Sequence, residues 1–215
     1  MGRRQQLTSD KIVTAAAAVA DRGGLAAVSM RSVGSELGVE AMSIYHHIPS
    51  KDALLDALAE WVFGQIELPD PTDPWREAMI RRADSARSVL GAHPWALGMM
   101  ESRPAPGPAL LQHHDRVLGC LLTAGFSPTL ATHAFSTIDA FVYGFVLTES
   151  SLPFTPGEGA EAEFAAEVAP SMEDYPFLAR SLADVLDGGA YAFADEFHSG
   201  LELIMDGLQR RFDEQ

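Results

Sequence analysis

The sequence predicts an all-α protein: a small N-terminal head of three helices, joined by a long helix to a larger helical body. Three observations carry that prediction. Apolar residues recur at three- and four-residue intervals along most of the 215-residue chain, and no sustained alternation of β-branched residues suggests a strand. Glycine and proline clusters at Gly23-Gly24 and from Pro69 to Pro74 cut this pattern into pieces of helix length. Residues 30–51, MRSVGSELGVEAMSIYHHIPSK, hold two short helical patterns parted by a three-residue turn that contains glycine.

The first helix is expected to start at an N-cap within Leu7-Thr8-Ser9-Asp10 and to end after Arg22, at the two glycines. Ile12, Ala15, Ala16, Val19 and Ala20 form its apolar stripe, over which Leu25 and Val28 close. Ser29 is placed to cap the second helix, Met30–Leu37, whose stripe is Met30, Val33 and Leu37. Gly34 lies on that stripe without a side chain, so another helix can approach closely. Gly38 then stops the helix by taking the left-handed conformation, and Val39 plugs the turn. The third helix, Ala41–His47, buries Ile44 and leaves Ala41, Met42, Ser43, Tyr45, His46 and His47 on the outside. This is the layout of a helix-turn-helix, whose second helix lies in the major groove of DNA. Ser50 caps a connecting helix running from Lys51 to about Glu67, which the prolines from Pro69 onward break.

The body reads as helices at Trp75–Gly91, Pro94–Glu101, Pro108–Ala124, Pro128–Ser151 and Ala190–Phe212. Between Pro153 and Pro176 the composition suggests a flexible acidic loop with a helical turn or two around Ala162–Val168. The expected division is a head at 1–50, a connecting helix at 51–67 and a body at 68–215. Phe135, Ile138, Phe141, Val142, Phe145 and Val146 make one segment apolar on more than one face; Phe193, Phe197, Leu201, Ile204, Met205 and Leu208 do the same for the last helix. Such breadth suggests burial against a second subunit.

Composition narrows the class. Hydrophobic residues make up 47% of the chain, enough for a real core, and no run of about 18 apolar residues suggests a membrane span. Leu7-Thr8-Ser9-Asp10 interrupts any signal-peptide pattern, and the single cysteine, Cys120, fits a reducing cytoplasm. The net charge of −15 is unevenly spread. Residues 1–52 hold six basic and five acidic groups, a balance of +1, whereas residues 53–215 hold nine basic and twenty-five acidic groups, a balance of −16. Only the head can dock on a polyanion, and it has few charges for the task.

Leu37-Gly38-Val39-Glu40, Ser43-Ile44-Tyr45-His46-His47-Ile48 and Lys51-Asp52-Ala53-Leu54-Leu55-Asp56-Ala57-Leu58 resemble the DNA-binding head of the tetracycline-repressor-like (TetR) family of bacterial transcription regulators. Residues 200–208, GLELIMDGL, resemble the last helix of the family's tetracycline-repressor branch, with Arg103-Pro104 and Gly125-Phe126-Ser127 as islands between. The resemblance implies a cytoplasmic homodimeric repressor that binds a palindromic operator on double-stranded DNA and is released by a small-molecule inducer. It also implies that the two broad apolar segments pair with their symmetry mates in a four-helix bundle.

For the DNA contact, a two-helix reader needs phosphate clamps at its edges and base-reaching side chains in its middle. Arg31 can reach a guanine edge or a phosphate, and the resemblance implies a base contact. Ala41, Met42 and Ser43 fall at the family's base-facing positions. Ala41 and Met42 offer only apolar contact with thymine methyls, while Ser43 can bond a base or a phosphate. Tyr45 packs its ring on the head and offers its hydroxyl to the backbone. His46 and His47 suit backbone contacts and, pointing about 100° apart on a helix, are no metal pair. Lys51 is the strongest phosphate candidate. Arg3 and Arg4 make either an arm along the DNA or a plain tail.

For the ligand, the resemblance implies a helical pocket, for which Trp61, Trp95, Met99, Met100, Arg103, Phe135, Asp139 and Tyr143 are candidates. In the tetracycline branch a histidine four residues before this arginine holds the drug's magnesium, and here Met99 takes its place. A second histidine aligns with about Glu67. No metal or cofactor is expected, and a larger apolar ligand fits better than magnesium–tetracycline. The rival class is a helical ligand-binding protein or enzyme without DNA function. His113-His114-Asp115 reads as a solvated cluster, because consecutive ligands on a helix diverge. Asp195 and His198 lack the paired Glu-x-x-His repeats of a di-iron bundle. No nucleophile elbow, phosphate loop or dinucleotide fingerprint appears.

Overall fold

The computed structural model describes residues 7–100, 107–154, 160–172, 174–186 and 191–215. Every regular element among them is helical, as the sequence predicts. The chain divides into two compact units between Tyr143 and Gly144.

The first unit opens with α1 (Ser9–Ala27), whose N-terminus is closed by Thr8, the hydroxyl of which accepts a bond from the Lys11 amide. Gly24, at φ 68 and ψ 178, breaks the helix inside that span where the glycine pair foretold an end. Helix α2 (Met30–Leu37) starts in a reciprocal cap: Ser29 Oγ accepts from the Ser32 amide at 3.0 Å and Ser32 Oγ from the Ser29 amide at 2.9 Å. Gly38, at φ 66 and ψ 32, ends it in the left-handed conformation expected, and the Val39 amide bonds back to the Gly34 carbonyl at 2.9 Å.

Helix α3 spans Ala41–Tyr45, shorter than the predicted Ala41–His47. His46 and His47 lie in the turn that follows, where the amides of His47 and Ile48 both converge on the Ile44 carbonyl. Helix α4 (Lys51–Phe63) is capped by Ser50, whose hydroxyl accepts from the Ala53 amide at 3.1 Å. It ends at Gly64 rather than Glu67, because Ile66 turns inward to 4% exposure and the Glu67 amide donates to Ser85 Oγ at 2.8 Å. The prolines therefore follow the end instead of causing it. Ile12, Ala16, Val33, Ile44, Leu54 and Leu58 are fully buried where α1 to α4 meet. Each buried Ile or Leu there contributes about 1.5–3 kcal/mol, which ties α3 to its supports through Ile44.

The rest of this unit holds α5 (Trp75–Ala92), a 3-10 turn at Pro94–Ala96, α6 (Leu97–Met100) and α7 (Pro108–Thr123). Helix α8 (Pro128–Ser150) begins in this unit. The predicted Pro94–Glu101 helix is thus a 3-10 turn followed by a single α turn. Trp75 meets Phe126 edge to face, with ring centroids 5.0 Å apart. Cys120 is a free, buried thiol, and burial pushes its pKa up.

In the second unit, α9 (Ala160–Val168) continues into a 3-10 turn at Ala169–Met172, and α10 (Pro176–Leu186) and α11 (Glu196–Asp213) follow. Two expectations are corrected here. The stretch read as an acidic loop is largely helical where described, since Ala162, Ala165, Ala166 and Ala169 give it an apolar face, which lines a cavity together with Ala179 and Leu182 of α10. Residues 176–186 form a helix where none was expected. Phe145 stacks on Phe193 and meets the edge of Phe197, with centroids 5.0 and 5.1 Å apart. Phe197, Leu201, Met205 and Leu208 are buried within the chain, whereas Leu147 and Leu203 remain 59% and 75% exposed.

The close approach of α2 to the turn before α3 can be tested at Gly34, where an added Cβ would lie 2.8 Å from the Val39 carbonyl oxygen. That neighbour is backbone and cannot step aside. Gly34→Ala should lower stability by about 1–3 kcal/mol in urea denaturation. Gly91→Ala, with no atom within 4 Å of its new Cβ, should be neutral or gain up to about 1 kcal/mol. Equal effects from the two would contradict the crowding at Gly34.

Candidate functional site

The outward face of the head is built on Ile44. With that side chain at zero exposure, α3 must turn Met42 and Tyr45 away from the core, and they are 66% and 44% exposed. His46 and His47 are exposed, while Ala41 and Ser43 are half-buried. Arg31 and Lys51 are exposed at the first turns of α2 and α4, on either side of α3 in sequence. A cation there opposes the positive end of the helix macrodipole, so neither residue is placed to stabilise its own helix. Backbone amides together with a cation at a helix start suit a phosphate oxygen. Arg22, the other described arginine of the head, is instead paired with Glu36. Arg3 and Arg4 lie outside the described residues.

A second constellation lies between α5, α7 and α8. Arg82 is 1% exposed on the inner stripe of α5, where Trp75, Met79, Ala86 and Leu90 supply the apolar neighbours. Its guanidinium is held by three groups. The Asp139 carboxylate on α8 accepts from Nη2, His113 Nε2 on α7 accepts from Nε at 2.5 Å, and the Phe135 ring lies 5.8 Å from the guanidinium carbon. Nη1 is buried with no hydrogen-bond partner among the described residues. Tyr143 donates its hydroxyl to the other Asp139 oxygen at 3.0 Å, and His114 meets Phe135 edge to face at 4.5 Å.

The protonation pattern follows from the partners. His113 must present a lone pair at Nε2 to accept from Arg82, so it is neutral with its proton on Nδ1. Burial, the Arg82 charge and then His114 lower its pKa to about 3. Burial lowers that of His114 as well, and Tyr143 is held in its neutral form by burial and by the Asp139 charge. The cluster therefore carries one positive and one negative charge, two neutral imidazoles, aromatic faces and one unused N–H. That set can orient an apolar molecule by a single acceptor atom.

The eight residues proposed for the ligand site part into groups. Phe135, Asp139 and Tyr143 sit together around Arg82. Trp61, Trp95 and Met99 instead pack against the apolar cluster of the head, with Met99 2% exposed. Arg103 and the side chain of Met100 lie outside the described residues. The reading of His113-His114-Asp115 as a solvated cluster is overturned: His113 is 3% exposed and His114 half-buried, because α7 turns them toward α5 and α8, and only Asp115 faces solvent. Arg82 was missed in the sequence although the signal was present. It stands seven residues after Trp75 and eight before Leu90, a charge on an otherwise apolar stripe. Among the described residues no group of His, Cys, Asp and Glu is arranged to hold a metal, and Asp195 and His198 are both exposed.

Because the folded pKa of His113 lies below the ordinary value of 6.5, the unfolded chain binds a proton that the folded one refuses as pH falls. Stability from this group is complete above about pH 6.5 and declines toward pH 3. His113→Gln keeps an acceptor for Arg82 and cannot titrate. Between pH 7 and pH 4.5 it should lose about 2 kcal/mol less stability than the unaltered protein, measured by urea denaturation. Parallel losses would show that His113 does not titrate in this window.

Comparison with known proteins agrees with this architecture. Residues 12–58 match the family profile described as bacterial regulatory proteins, tetR family, and residues 68–212 match the tetracyclin repressor-like C-terminal domain. An HTH-type transcriptional regulator of Saccharopolyspora erythraea is 34% identical over 203 residues, covering 94% of this chain and 84% of its own. The HTH-type transcriptional repressor DrrR1 of Streptomyces coeruleorubidus is 34% identical over 220 residues, covering 97% and 79%. Among solved structures, apo ActR from Streptomyces coelicolor superposes with a TM-score of 0.77 at 26% identity over 99% of both chains. ActR in complex with actinorhodin gives 0.73 at 28% identity, over 97% of this chain and 99% of its own. With both profiles matched in order along a single helical chain, the protein belongs to the TetR family of bacterial transcription regulators.

Proposed function

We propose that this regulator is a homodimeric repressor of the bacterial cytoplasm that binds a palindromic operator and leaves it when a small molecule occupies the body. The observation that carries the reading is the α3 surface: Met42, Ser43, Tyr45, His46 and His47 presented over a fully buried Ile44, with Arg31 and Lys51 at neighbouring helix starts. Arg31, Ala41, Met42 and Ser43 take the base-reading places, and Tyr45, His46, His47 and Lys51 the backbone. Residues 1–50 form the DNA head, 51–67 the connection and 68–215 the ligand-binding and dimerisation body. Two heads on a dimer read half-sites separated by about 34–36 Å or a multiple of it.

The ligand site centres on Arg82, His113, Phe135, Asp139 and Tyr143. The relative that supports this most directly is ActR, whose structure with actinorhodin establishes ligand binding on the shared fold. By the resemblance, Met99 stands where the tetracycline branch keeps a metal-binding histidine, and its burial against the head fits an inducer other than magnesium–tetracycline. An apolar, partly aromatic molecule with an acceptor oxygen matches what Arg82 Nη1 offers. Release requires only that ligand prefer the body conformation with the wrong head spacing, by about 1–3 kcal/mol. Dimerisation through α8 and α11 accounts for Leu147 and Leu203, both large, apolar and exposed in the single chain.

The reading is tested by selecting bound sequences from a random DNA pool. A palindrome supports it; a blank selection at low ionic strength would return the protein to the class of ligand-binding helical proteins. Lys51→Ala should weaken binding to every sequence about equally and lower the salt slope by about one, measured by fluorescence anisotropy. A loss confined to one operator variant would contradict the phosphate role. Leu203→Glu should shift the population from dimer toward monomer in sedimentation velocity, while Leu111→Glu, exposed on α7, serves as the control. An unchanged dimer would remove α11 from the interface.

A further inference from the structure

Asp21 lies on α1, one turn before the break at Gly24. Its position is unfavourable for the helix alone, since a negative charge near a helix C-terminus opposes the macrodipole. Yet it is the point where α1 meets the segment after α5. Asp21 Oδ1 accepts a hydrogen bond from the Trp95 indole N–H at 2.6 Å and lies 2.8 Å from His93 Nδ1. The His93 ring is in turn met edge-on by Trp61 of α4, at 5.1 Å between centroids, and leans on Trp95 at 5.6 Å. Four residues beyond Trp95, Met99 is buried in the apolar cluster of the head. Residues 93–99 are therefore docked on α1 and α4 at once. The apolar part of this contact fixes distance but tolerates sliding; the two polar contacts on one oxygen are directional and do not.

We infer that Asp21 is a positioning residue of the DNA-reading head: through His93 and Trp95 it sets the angle at which α3 is presented, and thereby how strictly the dimer measures half-site spacing. The inference rests on the reading of the chain as a dimeric operator-binding protein. Asp21 acts through the head and not by touching DNA. Its removal leaves Ile12, Val33, Ile44 and the rest of the head core in place, so each head still binds its half-site while the register between heads relaxes.

The test uses the full chain and the palindrome obtained by selection, together with versions whose central spacer is lengthened by one or two base pairs. The unaltered protein should lose about tenfold or more in affinity per added base pair, because one step rotates the second half-site by roughly a tenth of a turn. Asp21→Ala should reduce that penalty to about threefold or less, with circular dichroism and single half-site binding unchanged. Trp95→Phe, which removes the N–H and keeps a smaller aromatic ring against the head cluster, should act in the same direction, and Asp21→Asn, which keeps an acceptor oxygen, should restore discrimination. Undiminished spacer discrimination in Trp95→Phe and Asp21→Ala would overturn the inference, as would an equal loss of affinity for all spacers and for the single half-site. If Asp21→Ala does not fold, Trp95→Phe decides. Failure of the unaltered protein to bind any selected DNA would instead overturn the operator-binding reading itself.

Discussion

A guanidinium taken almost wholly out of water cannot be left to itself, and the arrangement of three helices follows from that requirement at Arg82. The isolated charge would cost several kcal/mol, and the cost is met by Asp139 from α8 and His113 from α7. Each partner has to arrive at a particular nitrogen, so the contact fixes how these helices are rotated about their axes, which an apolar seam alone leaves adjustable. The neutral state of His113 is part of the same solution, because a second cation there would undo what Asp139 provides. One nitrogen remains without an acceptor among the described residues. Removing Asp139 or His113 by truncation should hurt far more than the pair is worth against an apolar substitute.

The head shows the opposite strategy. Among the described residues its buried core is aliphatic, and its boundaries are fixed by local hydrogen bonds at Thr8, Ser29 and Ser50 and by the left-handed Gly38. A three-helix unit of this size has little margin, which makes the additional cover from Trp61, Trp95 and Met99 significant. Those side chains come from the connecting helix and from the segment beyond α5. The proposed DNA-reading surface is thus supported by the part of the chain that lies next to the proposed ligand site in sequence. Coupling between the two requires no long chain of intermediaries.

What could be read in advance was whatever chain-local chemistry dictates. Ser29 and Ser50 are caps by residue type and position, Gly38 is a stop, and Ile44 is the single inward residue of α3; all four were placed correctly from the sequence. Errors arose where long-range contacts decide. Helix α4 stops at Gly64 because Ile66 finds a buried place and the Glu67 amide finds Ser85, neither of which adjacent residues announce. The 153–176 stretch was judged by its acidic and glycine-rich composition, although its alanines lie at helical spacing. In the candidate site, Phe135, Asp139 and Tyr143 are three of the eight residues the sequence offers, and their four-residue spacing puts them on one face of α8. Arg82 and His113 belong to other helices, and only the folded chain brings them to that face.

Arg82 and His93 stand on the same rod. They are eleven residues apart on α5 and its C-cap, about 16 Å along the axis at 1.5 Å per residue. An α-helix of this length is stiff to compression, so if an occupant of the proposed site beside Arg82 shifted α5 along its own direction, His93 at the C-cap would move with it. A twist of the same helix would instead swing the imidazole sideways against Trp61. The far end of the strut thus sits between two neighbours, Asp21 of α1 and Trp61 of α4, so the direction in which it moved would decide which of them felt it.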